Sequence, residues 1–353
     1  MEIHGIDIGF GFTKATNGNA FTIFKSILGD ATDIQFRMGV GTGSPGRNLH
    51  VSLNGQSYFV GEFAEMQSNV RQFTLDQDKM VTDFVKTLGL TAMGVLSDKK
   101  TPTHIVSGLP VGYYKAYSSK ISKLLSGRHE ITFHRPDGSQ EARALDITNI
   151  KVIPQPLGSV FNLLMDDKGR IVNKDLAKQK IGVVDIGFRT TDFSVFDQLR
   201  YVERGSATTD TGISKCFAVI AKKLRAECGV NIELYRLFSA METGFIKVRG
   251  KEYAIASLRD QVFSHTATSI FNDIERLWAD DWDMDTILLT GGGSMELARF
   301  LEPMIAGNVV PVQTQIDARL NNVQGYYKYG RYMWSPAVQA DPPADPPAEE
   351  KEK

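Results

Sequence analysis

The 353-residue chain is 42% hydrophobic and 23% charged, and its 40 lysines and arginines nearly balance 41 aspartates and glutamates, for a formal net charge of −1. That length exceeds what one core fills, so two domains are expected; the balanced charge speaks against direct, non-specific nucleic-acid binding and leaves any DNA connection to an adaptor. The two cysteines, Cys216 and Cys228, exclude a disulfide framework and fit a reducing cytoplasm; no apolar run reaches the ~18 residues of a membrane span, and the first strand begins too early for a signal peptide.

Residues 1–60 read as strands and hairpins, with turn signals at Asn17-Gly18-Asn19 and Asn54-Gly55. Within them, Ile6-Asp7-Ile8-Gly9-Phe10-Gly11-Phe12-Thr13-Lys14 is a buried strand ending in Asp, a glycine turn and a returning strand. Glycine lets the backbone bring bare N–H groups close to an anion, while an aspartate at the strand end suits a hydrated divalent cation. Gly41-Thr42-Gly43-Ser44-Pro45-Gly46 matches the dinucleotide fingerprint formally, but proline stands where a helix should start and a strand-like run follows, so it is rejected.

Val81, Phe84, Val85 and Leu88 have the spacing of an amphipathic helix. Strand Thr103–Ser107 runs into Gly108-Leu109-Pro110-Val111-Gly112 and a helix rich in Tyr and Lys. Strand Ile150–Ile153 leads into Pro154-Gln155-Pro156-Leu157-Gly158 and a helix to about Leu164; residues 165–180 are polar and irregular and connect two halves. The second half then opens as the first did, with Val184-Asp185-Ile186-Gly187-Phe188-Arg189-Thr190-Thr191-Asp192, 178 residues after the first hairpin. One such hairpin is a weak signal; two, each opening half of the chain, point to a duplicated fold clamping a polyphosphate from both sides. Strands at Thr191–Phe196 and Arg200–Glu203 follow, then helix faces at Ile213, Phe217, Ile220, Leu224 and at Phe263, Ala267, Ile270, Ile274, Leu277. Strand Thr286–Leu289 enters Thr290-Gly291-Gly292-Gly293-Ser294 before a helix from Met295. After Trp334 two Ala-Asp-Pro-Pro units and Ala-Glu-Glu-Lys-Glu-Lys offer no core, so residues 335–353 are expected to be a disordered, acidic tail. The six histidines form no metal-binding cluster, and Ser107 lacks the elbow of a nucleophile.

The ordered set of Asp-x-Gly hairpin, Gln after a strand, second Asp-x-Gly hairpin and late Gly-Gly turn resembles the actin/Hsp70/sugar-kinase ATPase superfamily. Within it, Ser107-Gly108-Leu109-Pro110-Val111, Pro154-Gln155-Pro156-Leu157-Gly158 and Asn322-Val323-Gln324-Gly325-Tyr326 are similar to bacterial actin-like proteins of the ParM/StbA plasmid-segregation type, over residues 1 to about 330. The resemblance implies an α/β actin-like (ribonuclease H-like) duplicated fold, two domains around a nucleotide cleft: 1–164 with 313–334 as domain I and 165–312 as domain II. It also implies that Gly9, Gly11, Phe12 and Thr13 line a first phosphate loop by backbone with Lys14 reaching the phosphates as a point charge, that Gly187, Thr190 and Thr191 belong to a second that reads phosphate through Gly187 and neighbouring N–H groups, and that Gly291, Gly292 and Gly293 form an adenosine turn. Asp7 and Asp185 would hold Mg²⁺ largely through water, and Gln155 would orient the attacking water. Asp192 either tunes that water or is a polar residue at a strand start. Tyr326, Tyr327, Tyr329, Lys328 and Arg331 fit a packed hinge helix better than a nucleic-acid patch.

For function, the resemblance implies a cytoplasmic ATP hydrolase, slow and filament-coupled, that binds ATP/ADP, assembles head to tail with itself and works in plasmid segregation through a DNA-binding adaptor, with no direct nucleic acid and no membrane. The alternative is a non-filament ATPase of the same superfamily, an Hsp70-like chaperone or a small-molecule kinase.

Overall fold

The computed structural model describes residues 1–31, 48–97, 101–311 and 317–335; the Gly41–Gly46 stretch and the tail from 336 lie outside the described residues. The first half runs β1 (Glu2–Ile8), β2 (Phe12–Thr16), β3 (Phe21–Lys25), β4 (Leu28–Asp30), β5 (Leu49–Leu53), β6 (Gln56–Val60), α1 (Glu62–Gln67), β7 (Arg71–Gln72), α2 (Asp83–Leu96), β8 (Pro102–Leu109), α3 (Val111–Leu125), β9 (Gly127–His134), β10 (Gln140–Pro154) and α4 (Leu157–Leu164). The second runs β11 (Lys180–Ile186), β12 (Thr191–Asp197), β13 (Arg200–Thr209), α5 (Ser214–Cys228), α6 (Phe238–Thr243), β14 (Phe245–Val248), β15 (Lys251–Ala254), α7 (Ala256–Leu277), β16 (Thr286–Thr290), α8 (Ser294–Leu301), β17 (Val309–Pro311) and α9 (Asn321–Trp334). No helix among the described residues is long and apolar enough to cross a membrane.

Two sheets repeat one design. The first contains the order β3-β2-β1-β8-β10 and the second is β13-β12-β11-β16-β17. In each, the first three strands form an antiparallel meander and the next two add in parallel to the meander's first strand. The central strands β1 and β11 are buried from their second residue onward, as strands covered on both faces must be, which explains their nearly continuous apolar runs. The first sheet is extended beyond β10 by β9-β5-β6-β4-β7. Each sheet carries its own apolar core, one with Ile6, Leu88, Ile105 and Ile131, the other with Val184, Phe193, Phe217 and Ile270. The predicted helix at Val81 begins two residues later, at Asp83, because Thr82 is extended (φ −114°, ψ 171°) and Val81 ends a separate 3₁₀ turn.

The last helix, α9, returns to the first half and lies against β1 and α4. Its approach to α4 is closer than side chains permit. A Cβ on Gly325 would stand 1.7 Å from the Gly158 carbonyl oxygen and 2.9 Å from the Asn162 nitrogen, both backbone atoms. Around this crossing Phe161 stacks on Tyr329 at 4.4 Å, and Ser159 Oγ donates to Asn322 Oδ1 at 2.8 Å.

Gly325→Ala therefore forces the helices apart. Alanine is the better helix former by about 1 kcal/mol, yet the expected net loss of stability is about 1–3 kcal/mol from overpacking, read as a lower urea midpoint at unchanged m-value. An unchanged midpoint would mean that the crossing has slack.

Candidate functional site

The carboxyl ends of β1 and β11 open into one cleft between the sheets. It is lined by Asp7, Gly9, Gly11, Phe12 and Lys14 of the first hairpin, by Asp185, Gly187, Thr190 and Asp192 of the second, and by Gln155, Gly291, Gly292 and Gly293. Pairing puts Asp7 directly opposite Lys14 and Asp185 opposite Asp192. Two residues expected in the phosphate loops turn their side chains away from the cleft. Strand alternation sends Thr13 and Thr191 to the far faces: the Thr13 hydroxyl pairs with Ser26 at 2.9 Å and the Thr191 hydroxyl donates to the Thr211 carbonyl at 3.3 Å. The N–H groups of Gly9 and Gly187 close their own turns, on Phe12 O at 3.1 Å and Thr190 O at 2.8 Å. These donors shape the loops; an anion would meet the N–H groups that come after them in each turn.

Three carboxylates share the cleft. Lys14 Nζ sits 2.7 Å from Asp7 Oδ2, and Gln155 Nε2 donates to Asp7 Oδ1 at 3.5 Å. Asn322 Nδ2 donates to Asp185 Oδ2 at 2.7 Å. Asp192 accepts the Val111 N–H at 2.8 Å, and hydrogen bonds from Thr208 and Thr190. Burial pushes Asp185 up to about 6, the Asn322 bond opposing and the Asp7 charge adding to it. Burial likewise pushes Asp192 up to about 7, against the Thr208 bond and with the Asp185 charge behind it.

No group of three or more His, Cys, Asp or Glu side chains among the described residues could cage a metal. The donors present nonetheless fit a hard, water-rich cation, because two like-charged carboxylates with few protein ligands around them are what Mg²⁺ takes. Gly291, at φ 86°, stands where a Cβ would lie 2.3 Å from Asp185 Oδ1, so the glycine turn presses bare backbone onto the carboxylate. Its shape is held by Gly293 N–H on Ile186 O at 2.7 Å and Ser294 Oγ on Gly291 O at 2.7 Å.

An aromatic seam crosses the cleft. Phe12 meets Phe238 at 4.6 Å, Phe188 meets Phe238 at 5.0 Å and Phe73 at 6.1 Å, and Arg319 lies over Phe12 at 4.9 Å. Phe188 also fills the space over Gly11, where a Cβ would come within 3.0 Å of its ring.

Residues 5–158 match the family described as actin like proteins, N terminal domain, and residues 183–303 match the C-terminal domain of the archaeal actin homologue MreB-like family. The chain belongs to the actin/ATPase superfamily. Among solved structures, this actin-like chain is similar to a non-polymerisable quadruple mutant of pCBH ParM, at 25% identity and TM-score 0.78 over 94% of this chain and 99% of that one. It is similar to the ParM of a 15-stranded filament from Clostridium botulinum at 23% identity and TM-score 0.80, over 94% and 99% of the two chains. A third similarity is to Ta0583, an archaeal actin homologue solved in complex with ADP, at 19% identity and TM-score 0.75 over 93% and 98%. No curated protein sequence matches the chain.

Sequence reasoning missed several residues of this actin-like cleft. Asn322 was legible as part of the Asn322–Tyr326 motif, but its bond to Asp185 depends on α9 folding back. Phe217, Phe238, Met241, Glu242, Met295, Glu296 and Arg319 line the cleft from elements whose local pattern only marks a core face or a helix end.

The raised carboxyls set a pH dependence. With folded values near 6 and 7 against an ordinary 3.8, Asp185 and Asp192 bind more protons in the native state than in the unfolded chain. Their contribution to stability is therefore present below about pH 4 and is lost as pH rises towards 7. Asp192→Asn removes one of the two groups. Without nucleotide or divalent cation, wild type should lose stability relative to this variant as pH goes from about 4 to 7, in urea melts at a series of pH values. A constant difference would show that Asp192 titrates alike in both states.

Proposed function

We propose that this chain is an ATP hydrolase of the ParM/StbA type that assembles head to tail into filaments and disassembles after hydrolysis, moving DNA through a DNA-binding adaptor in the cytoplasm. The observation that carries this is the pairing of two Asp-ended hairpins, one from each repeated sheet, across a single cleft with a glycine turn behind Asp185. Support comes from the likeness to a ParM filament subunit and to an actin homologue holding ADP. The domain assignment runs along the same lines, 1–164 with 313–334 against 165–312: α9 packs on the first sheet, and β17 pairs with β16 of the second.

In this reading ATP lies with its phosphates between the two hairpins. Mg²⁺, held by Asp7 and Asp185 mostly through water, would neutralise the charge that develops on the transferred phosphoryl group. Lys14 supplies a point charge beside Asp7, poised to exchange that partner for phosphate oxygens. Backbone N–H groups of both loops hold the phosphates without a covalent intermediate. Gln155 has a fixed backbone, its N–H bonded to Leu109 O at 2.8 Å and its carbonyl accepting from Tyr326 Oη at 3.3 Å. Its amide is neutral and cannot take a proton, so it orients water rather than acting as a base. Gly291, Gly292 and Gly293 give the adenosine a bare backbone to pack on.

Gln155→Ala should slow ATP hydrolysis by at least about tenfold while nucleotide affinity stays within about twofold, because water positioning matters only in the transition state. Affinity falling in step with turnover would place Gln155 on the nucleotide itself.

Light scattering tests the filament. Scattering should rise with ATP and Mg²⁺, stay at baseline with ADP, and decay as ATP is consumed. Steady hydrolysis with no scattering at any protein concentration would favour a chaperone-like or kinase-like ATPase.

A further inference from the structure

Trp282 is 88% exposed, the most open of the large apolar side chains among the described residues. It is held there. Its loop, between α7 and β16, is folded by Asp281 N–H on Trp278 O at 2.9 Å and Met284 N–H on Asp281 O at 3.3 Å. The buried Asp281 carboxylate anchors the loop to Lys180 at 3.0 Å and to Arg204 at 2.6 Å, and Trp278 Nε1 donates to Gly205 O at 2.8 Å. An indole kept in water by a rigid loop is an unmet contact. Asp280, Asp283 and Asp285 are its exposed neighbours in the loop, and residues 279–285 hold four aspartates and no cation; Lys180 and Arg204 pair with Asp281 and Asp283 from outside the loop, which is itself acidic. The adjoining β12–β13 turn adds Leu199, 36% exposed and at φ 64°.

The opposite end of α7 carries the complement. Ile255 alone separates the β14–β15 hairpin from α7, and α7, at 22 residues, is about 33 Å long at 1.5 Å per residue. The hairpin turns through Arg249 at φ 50° and Gly250 at φ 84°, a tight two-residue turn that fixes Arg249 at its tip. Lys247, Arg249 and Lys251 are exposed there against the single acid Glu252, and Phe245 beside them is 46% exposed. Lys251 also covers the Tyr253 ring at 5.1 Å.

We propose that the Trp282 loop of one copy docks on the β14–β15 hairpin of the next, forming the longitudinal contact of the filament. The inference rests on the filament reading and names its interface. A contact between two different surfaces of one body, here adjoining the two ends of α7, repeats without closing when the rotation does not return on itself. Acidic and basic ends steer copies into head-to-tail register and repel the head-to-head alternative. Trp282 would stack on the Arg249 guanidinium, tryptophan being the strongest aromatic partner for a cation, with Phe245 and Leu199 adding apolar area at the rim.

The test is pelleting with ATP and Mg²⁺ across a protein concentration series, for wild type, for Trp282→Ala and for the double variant Arg249→Glu with Lys251→Glu. Wild type should assemble, and each variant should raise the critical concentration by at least about tenfold, as loss of a central aromatic or arginine anchor does. Melting temperature and ATP affinity, measured on the same samples, should match wild type, since all three side chains are exposed and none lines the cleft. Wild type and both variants assembling alike would overturn this interface and leave the filament reading standing. Wild type failing to assemble at all would overturn both.

Discussion

The cleft is organised by the cost of placing Asp7, Asp185 and Asp192 together out of water. Asp185 and Asp192 are each 2% exposed, and an ionised carboxylate in such a place must be paired, hydrogen-bonded or protonated. Each acid has its own remedy, drawn from a different part of the chain: Lys14 from the neighbouring strand for Asp7, Asn322 from the last helix for Asp185, and the first N–H of α3 for Asp192. The last two span the halves. Gly112 N–H also donates to Thr208 Oγ1 at 2.7 Å, so the start of a first-half helix is seated on second-half strands through their polar side chains. The charge state of the cleft floor and the closeness of the two halves are therefore one variable, and a cation among these acids acts on both.

A second contact between the halves rests on different physics. Tyr235, only 3% exposed, belongs to a cluster with Ile27, Phe59 and Ala64 of the first half, and Phe73 meets it at 5.4 Å. This apolar seam is non-directional and insensitive to charge, whereas the floor is directional and charge-dependent. Parting the halves exposes the first and unpairs the second. A nucleotide entering between them must exchange apolar contacts of Phe12, Phe188 and Phe238 for its own, which ties binding to the width of the opening.

Much of this was legible in the sequence because it is local. The two hairpins, the glycine turn and the strand-to-helix passages at Pro110 and Pro156 are set by neighbours within a few residues, and all appear where the pattern put them. The extension of the first sheet beyond β10 was less legible. The β9–β10 hairpin turns at Pro136-Asp137-Gly138, a plain signal, but its paired arms bury only Ile131, Phe133, Leu145 and Ile147, each between exposed or half-buried residues, and only Ile150–Ile153 reads as a dense apolar run. Side-chain facing within the hairpins follows only once the pairing is known: Thr13 and Thr191 belong to the motif through their backbone, and period-two alternation turns their hydroxyls from the cleft. The aromatic seam and the bonds of Asn322 could not be read at all, since Phe73, Phe188 and Tyr235, or Asp185 and Asn322, come together only after both sheets and the returning helix are in place.

The chain path also joins the cleft to the outer surface with little slack. Phe238, Met241 and Glu242 of α6 line the cleft, and the β14–β15 hairpin starts at Phe245, just beyond the left-handed Gly244. Gly244 O accepts from both Ile255 N–H at 2.8 Å and Ala256 N–H at 3.0 Å, and Arg259 Nη1 donates to Met241 O at 2.6 Å, so α6, the hairpin and the start of α7 are bonded into one unit. Any displacement that a nucleotide imposes on α6 is thus passed to the hairpin by backbone hydrogen bonds and carried by α7 as a rigid strut towards the Trp282 loop. The hairpin and the Trp282 loop adjoin the two ends of a helix about 33 Å long and are in this way tied to the same wall of the cleft, which is the connection that the proposed nucleotide-governed assembly requires.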